Sequence, residues 1–137
     1  MRSSRNSSSS SAASLFSRTA IIMRRRALKK VFPLLRILSK LDEEDRRILL
    51  QYLTHDGCEG VYECVHNVLY NPNIPAEDRK QMHFQLNDHK EQLRFLASKK
   101  QKAEEKKKVL LRANKPLGPI FNYVMPMLQN DFNKMSM

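Results

Sequence analysis

At 137 residues, with 28% charged and 41% hydrophobic residues, the chain has room for one domain. Two cysteines in that length exclude a disulfide-stapled framework, and the lack of any run of about 18 apolar residues excludes a membrane-spanning helix. The formal charge of +11, from 25 Lys and Arg against 14 Asp and Glu, directs attention to an anionic partner.

The charge is unevenly laid out. Residues 1–41 hold ten Arg and Lys and no acid. Residues 42–89 hold ten acids and four bases, residues 90–115 ten bases and three acids, and the last 22 residues balance. An acidic middle bracketed by basic arms suits nucleic acid or an anionic membrane surface. It is also compatible with an oligomer in which a basic arm meets an acidic block.

In chain order, Met1 to Thr19 has nine serines and no acid, too little apolar surface to offset chain entropy. Residues 1–32 are therefore expected to form a disordered basic arm, ending in the cluster Arg24, Arg25, Arg26, Lys29 and Lys30. Its Arg- and Ser-rich, acid-free composition also matches a mitochondrial transit peptide, which stands as the alternative destination.

Residues 33–97 are expected to form a small all-α bundle of about four short helices. Pro33 suits a first turn, and Leu34, Leu35, Leu38 and Leu41 follow at helical spacing. Asp42 can cap the next helix, with Glu43, Glu44 and Asp45 at its positive end. Ile48, Leu49, Tyr52 and Leu53 are the expected apolar face of that helix, and Gly57 its stop. Val61, Cys64, Val65, Val68 and Leu69 give the cleanest period in the chain, halted by Asn71-Pro72-Asn73. Pro75, Glu77 and Asp78 open a fourth helix. Met82, Leu86, His89, Leu93 and Leu96 then form a heptad-like seam, weakest at Gln85 to Asp88, where Asn and Asp compete for backbone groups.

Residues 98–115 are expected to continue as a basic helical extension, with Leu93, Leu96, Ala103 and Leu110 on one apolar edge. Its cations Lys99, Lys100, Lys102, Lys106, Lys107, Lys108 and Arg112 join the Arg24–Lys30 cluster as candidate phosphate contacts. About six such contacts on duplex DNA correspond to a slope near −5 of log affinity on log salt. Pro116, Gly118 and Pro119 are expected to end helix formation, leaving residues 116–137 as an apolar tail broken by Pro126. That tail either folds back to complete the core or offers Ile120, Phe121, Tyr123, Met125, Met127 and Leu128 to a protein partner or a membrane.

The motifs of catalysis are missing. No G-x-x-x-x-G-K-[ST], G-x-S-x-G or H-E-x-x-H occurs. His55, Cys58 and His66 have no zinc-like spacing, and Cys58 and Cys64 read as two idle buried thiols. Glu59 and Glu63 read as a solvated pair. No cofactor, metal or catalytic residue is therefore expected. A helix–turn–helix across Asp56-Gly57 is disfavoured, because its second helix offers only Asn67 as a base reader while Glu59 and Glu63 would oppose phosphates.

Six segments carry a further signal: PLLRILSKL (33–41), ECVHNVLY (63–70), IPAEDRKQ (74–81), KEQLRFLASKK (90–100), KKKVLLR (106–112) and PLGPI (116–120). In this order they resemble a small basic helical protein of Polinton/Maverick-type elements and of the related adenovirus-like viruses of animals, the adintoviruses. The Ser-rich leader and the acids at 42–45 and 77–78 depart from that pattern. The resemblance implies a protein that accompanies a packaged genome or an inner capsid, in the nucleus or the virion. The expected function is non-enzymatic, sequence-tolerant nucleic-acid binding, with duplex DNA favoured over RNA. The alternative is an assembly or adaptor protein that binds a capsid or other protein, or a membrane, through the bundle and tail.

Overall fold

Seven helices make up the described residues, 25–135, of the computed structural model. In chain order they are α1 (Arg25–Lys40), α2 (Glu43–Gln51), α3 (His55–Tyr70) and α4 (Ala76–Gln85). A 3-10 turn (Asn87–His89) follows, then α5 (Lys90–Ala97), α6 (Ala103–Arg112) and α7 (Asn114–Met135). The all-α bundle expected from the sequence is present. It is larger than residues 33–97, because α1, α6 and α7 all contribute to one core.

Helix α7 is the hub. It packs against α1 most extensively and also meets α2, α3 and α6, while α3 meets α1, α4, α5 and α7. Leu117, Ile120, Phe121, Val124, Met127 and Leu128 are buried on α7, at the spacing of one helical face. Against them α1 buries Leu28, Val31, Phe32, Leu35 and Leu38. Near the far end of α7, Phe132 stacks on Phe32 with ring centroids 4.5 Å apart.

This corrects the reading of Pro116, Gly118, Pro119 and Pro126 as helix breakers, since α7 runs through all four. Pro116 lies in the first turn, where its missing N–H has no helical partner to lose. Pro119 and Pro126 each release the carbonyl four residues earlier, on Lys115 and Asn122. Both of those residues are exposed, so water can satisfy the released carbonyls. The apolar face of α7 outweighs what the prolines cost. In the same way Pro33 lies inside α1 rather than at its start, with the carbonyl it releases on exposed Lys29. The expectation of a disordered arm up to residue 32 is thereby corrected for residues 25–32, which form the first half of α1. Residues 1–24 lie outside the described residues.

Helix α2 turns differently from the expected register. Arg46 and Leu50 are buried, whereas Ile48 is 54% and Tyr52 76% exposed. Asp42 caps it as expected, accepting from Asp45 N at 2.8 Å. Gly57 does not end α2 but sits in the first turn of α3, where its N–H donates to the capping Thr54 Oγ1 at 3.1 Å. A Cβ on Gly57 would fall 2.9 Å from Leu34, and one on Gly60 3.0 Å from Val31. Both glycines thus let α1 approach α3 closely.

The register of α3 agrees with its sequence period. Val61, Cys64, Val65 and Val68 are buried, and full burial pushes the Cys64 thiol up to about 12. Both cysteines are free and buried. At the C-terminal end of α3, Asn71 Nδ2 donates to Asn67 Oδ1 at 2.9 Å, and Asn73 N donates to Asn71 Oδ1 at the same distance. Arg79 from α4 donates to the Asn71 carbonyl, which fixes the turn into α4. The Met82–Leu96 seam is interrupted where Gln85 to Asp88 read as weakest, by the 3-10 turn.

One buried polar cluster ties α2 to the start of α7. Arg46 Nε donates to Asn114 Oδ1 at 2.7 Å and Nη2 to the Asn114 carbonyl at 3.1 Å, while Nη1 reaches the Leu41 carbonyl at 3.3 Å. Asn114 Nδ2 in turn donates to the Glu43 carbonyl. Gly118 leaves room for the guanidinium, since a Cβ there would stand 3.4 Å from Nη2. Burial lowers the Arg46 pKa, and the charges of Glu43 and Asp42 oppose that shift. Arg46→Ala strands Asn114 and should cost about 2–3 kcal/mol in urea denaturation. Arg46→Lys should recover little of this, because an ammonium cannot span the three acceptors.

Candidate nucleic-acid interface

The cations divide into two groups once the helices are placed. On α1, Arg26, Lys29, Lys30, Arg36 and Lys40 are exposed, at spacings that keep them within a sector of about 120° at 100° per residue. Leu28, Val31, Leu35 and Leu38 point the opposite way into the core. The sector contains no acid and runs about 21 Å from Arg26 to Lys40 at the helical rise. Arg24 lies outside the described residues, and Arg25 contributes the first helical residue. Arg36 and Lys40 were not among the residues expected from sequence. Reading the helix through Pro33 would have added them, since they continue the same spacing.

Within that stripe Lys30 is engaged, its Nζ 2.6 Å from Asp56 Oδ2 on α3. The hydrogen bond and the positive charge of Lys30 hold the Asp56 carboxyl below its ordinary value. Arg26, Lys29, Arg36 and Lys40 make no ion pair to a described residue.

The second group departs from expectation. The basic stretch is not one helix. It breaks at Ser98–Lys102, where Ser98 Oγ accepts from Lys100 N at 3.2 Å, and α6 then packs back on the bundle through Leu110, with its C-cap Ala113 also buried. Ala103, placed by sequence on the apolar edge, is exposed.

Lys106 lies one turn before Leu110 on the buried face and is only 7% exposed, with Nζ 4.7 Å from the centre of the Tyr62 ring. Burial lowers its pKa, and Glu59 and Glu63 pull the other way. Lys107 is half-buried and donates to the Leu53 carbonyl at 3.3 Å and to Cys58 Sγ at 3.7 Å. Lys106 and Lys107, both expected as phosphate contacts, are thus engaged within the fold.

Lys100 and Lys102 are exposed on the 98–102 turn. Lys99 reaches Glu63 at 3.9 Å and Lys108 reaches Glu105 at 3.8 Å. The exposed residues of α6 include Glu104 and Glu105 as well as Lys108 and Arg112, a balance that leaves little net attraction for a polyanion. Lys99 and Lys106 also line a cleft of about 250 Å³ with Glu59, Glu63, His55 and His66, whose carboxylates repel phosphate.

The apolar surface expected at the C-terminal end is not presented. Ile120, Phe121, Met127 and Leu128 are buried in the core, and Met125 is half-buried. Tyr123 donates its hydroxyl to Asp78 Oδ2 at 2.8 Å, which binds α7 to α4. These six residues complete the bundle, the first of the two readings their sequence allowed. Among the described residues no helix is long and apolar enough to cross a membrane, and no cluster of three His, Cys, Asp or Glu side chains is arranged to hold a metal ion.

Comparison with protein-family models, curated proteins and solved structures returned no match.

Buried and exposed lysines of α6 should differ in their response to truncation. Lys106→Ala removes a packed alkyl stem and a cation over Tyr62 and should cost about 1–2 kcal/mol. Lys108→Ala, on the exposed side of the same helix, should change stability by less than about 0.5 kcal/mol. Thermal or urea unfolding of the two variants checks the difference.

Proposed function

We propose that the protein is a non-enzymatic nucleic-acid-binding protein that grips duplex DNA by its phosphates through the outer face of α1. The observation that carries this reading is the acid-free row Arg26, Lys29, Arg36 and Lys40 on one side of a helix whose other side is locked into the core. A rigid row of cations matches a backbone that carries one charge per about 1.7 Å of duplex axis. Contacts of this type position a protein without reading bases, so binding is sequence-tolerant. Lys100 and Lys102 supply further contacts from the 98–102 turn. In the setting implied by the Polinton and adintovirus resemblance, the bound DNA is a packaged genome.

In this reading Lys106 and Lys107 drop out of the contacts expected from sequence, Asp56 competes with phosphate for Lys30, and Arg36 and Lys40 enter. Each phosphate contact contributes about 0.9 to the slope of log affinity on log salt. Changing Arg26, Lys29, Arg36 and Lys40 together to Gln should therefore flatten that slope by about 3 to 4, measured on random-sequence duplex between about 50 and 200 mM salt. An unchanged slope removes α1 as the contact surface. Weak, salt-insensitive binding by the unaltered chain overturns the nucleic-acid reading itself.

A further inference from the structure

A second cleft, of about 230 Å³, opens where the end of α3 meets the end of α4 and the start of α5. Leu69, Leu86 and Leu93 line it, and Leu86 and Leu93 are buried, so this apolar floor is part of the core. Tyr70 also lines the cleft and is 51% exposed. Its ring is held by an edge contact to His66, with centroids 5.2 Å apart and planes at 62°. His83, Asn87, Lys90 and Arg94 complete the lining, and no acid takes part. Lys90 and Arg94 stand one turn apart on α5, both exposed, so their charges converge on one side of the opening.

We propose that this cleft receives a single nucleotide, its base on the Tyr70 ring and the leucine floor and its phosphate between Lys90 and Arg94. The combination is what such a ligand demands. An aromatic face accepts any base by stacking, while paired cations accept the phosphate. Asn87 offers both a donor and an acceptor to a base edge. The volume falls below that of ordinary drug-sized pockets, about 300–1,000 Å³, so one ring system fits better than an extended cofactor. A fully paired duplex cannot present a base here, so the occupant is unpaired, either in a strand or as a free nucleotide. The site lies on α3, the end of α4 and the start of α5 and uses none of the α1 cations, so it stands or falls apart from the duplex-binding surface.

The test uses the full chain carrying the four α1 Gln changes, so that backbone binding by that helix does not mask the cleft. An oligothymidine of about eight nucleotides is compared with the same strand made abasic, and both with thymidine 5′-monophosphate as competitor. The intact strand should bind more tightly than the abasic one by about five- to 150-fold, the range that stacking of one base supplies. Tyr70→Ala should erase that difference, Tyr70→Phe should keep it, and Lys90→Gln with Arg94→Gln should weaken the intact strand. Phe84→Ala is the control, because Phe84 is 86% exposed yet does not line the cleft. If the monophosphate competes, the free nucleotide suffices as ligand, and if only the strand binds, the source is single-stranded nucleic acid. Equal binding of intact and abasic strands without monophosphate binding overturns the proposal. So does a base effect that survives Tyr70→Ala or disappears equally with Phe84→Ala.

Discussion

Everything in this fold depends on the contact between α1 and α7. Without α7, the apolar face of α1 would be covered only where α3 meets it at Gly57 and Gly60, and the part that α7 packs against would lie open. Six side chains of α7, from Leu117 to Leu128, are buried against the rest of the bundle. Full burial of a single such side chain is worth about 1.5–3 kcal/mol. That is why α7 persists through prolines that each oppose it. The consequence for the proposed function is direct, since the same contact that buries Leu28, Val31, Leu35 and Leu38 turns Arg26, Lys29, Arg36 and Lys40 outward in a row. A flexible arm of the same composition would lose conformational entropy with every phosphate it engaged, whereas α1 has its cations already aligned.

Elements whose apolar period is unbroken could be read from the chain without ambiguity. Val61 to Val68 gave α3 its register, Asp42 its cap to α2, and the Gln85–Asp88 weakness its place in the break before α5. Misreadings arose where a local rule met a tertiary demand. Proline and glycine are poor interior residues in an isolated helix, yet Pro33, Pro119 and Pro126 sit where the released carbonyls reach water, and Gly57 and Gly60 sit where two helices touch. Nothing in the sequence singled out Arg46: arginine is seldom fully buried, and only the acceptors gathered from Leu41 and Asn114, far apart in sequence, make its burial tolerable.

The candidate site shows the same division. A lysine run such as 106–108 places successive residues on different sides of a helix, so its density exaggerated the charge that any one side could offer. Lys106 packs over Tyr62, Lys107 meets Leu53 and Cys58, and Lys108 faces water near Glu105. The cleft around Tyr70 had no linear signature at all, because its lining comes from two separate segments, 69–70 and 83–94. Fewer cations are available than the composition suggests, and they lie on a helix whose first half, up to residue 32, was expected to belong to a disordered arm.

The most direct test of this account is lysine footprinting, in which an amine-acetylating reagent is applied to the full chain with and without saturating duplex DNA and each site is read by mass spectrometry. Lys29 and Lys40 should react readily in the free protein and lose most of that reactivity on DNA. Lys80, exposed on α4, should stay reactive in both conditions, and Lys106 should react slowly in both. Protection of Lys80 equal to that of Lys29 and Lys40, or undiminished labelling of the α1 lysines on DNA, would contradict the assignment of α1 as the phosphate-gripping surface.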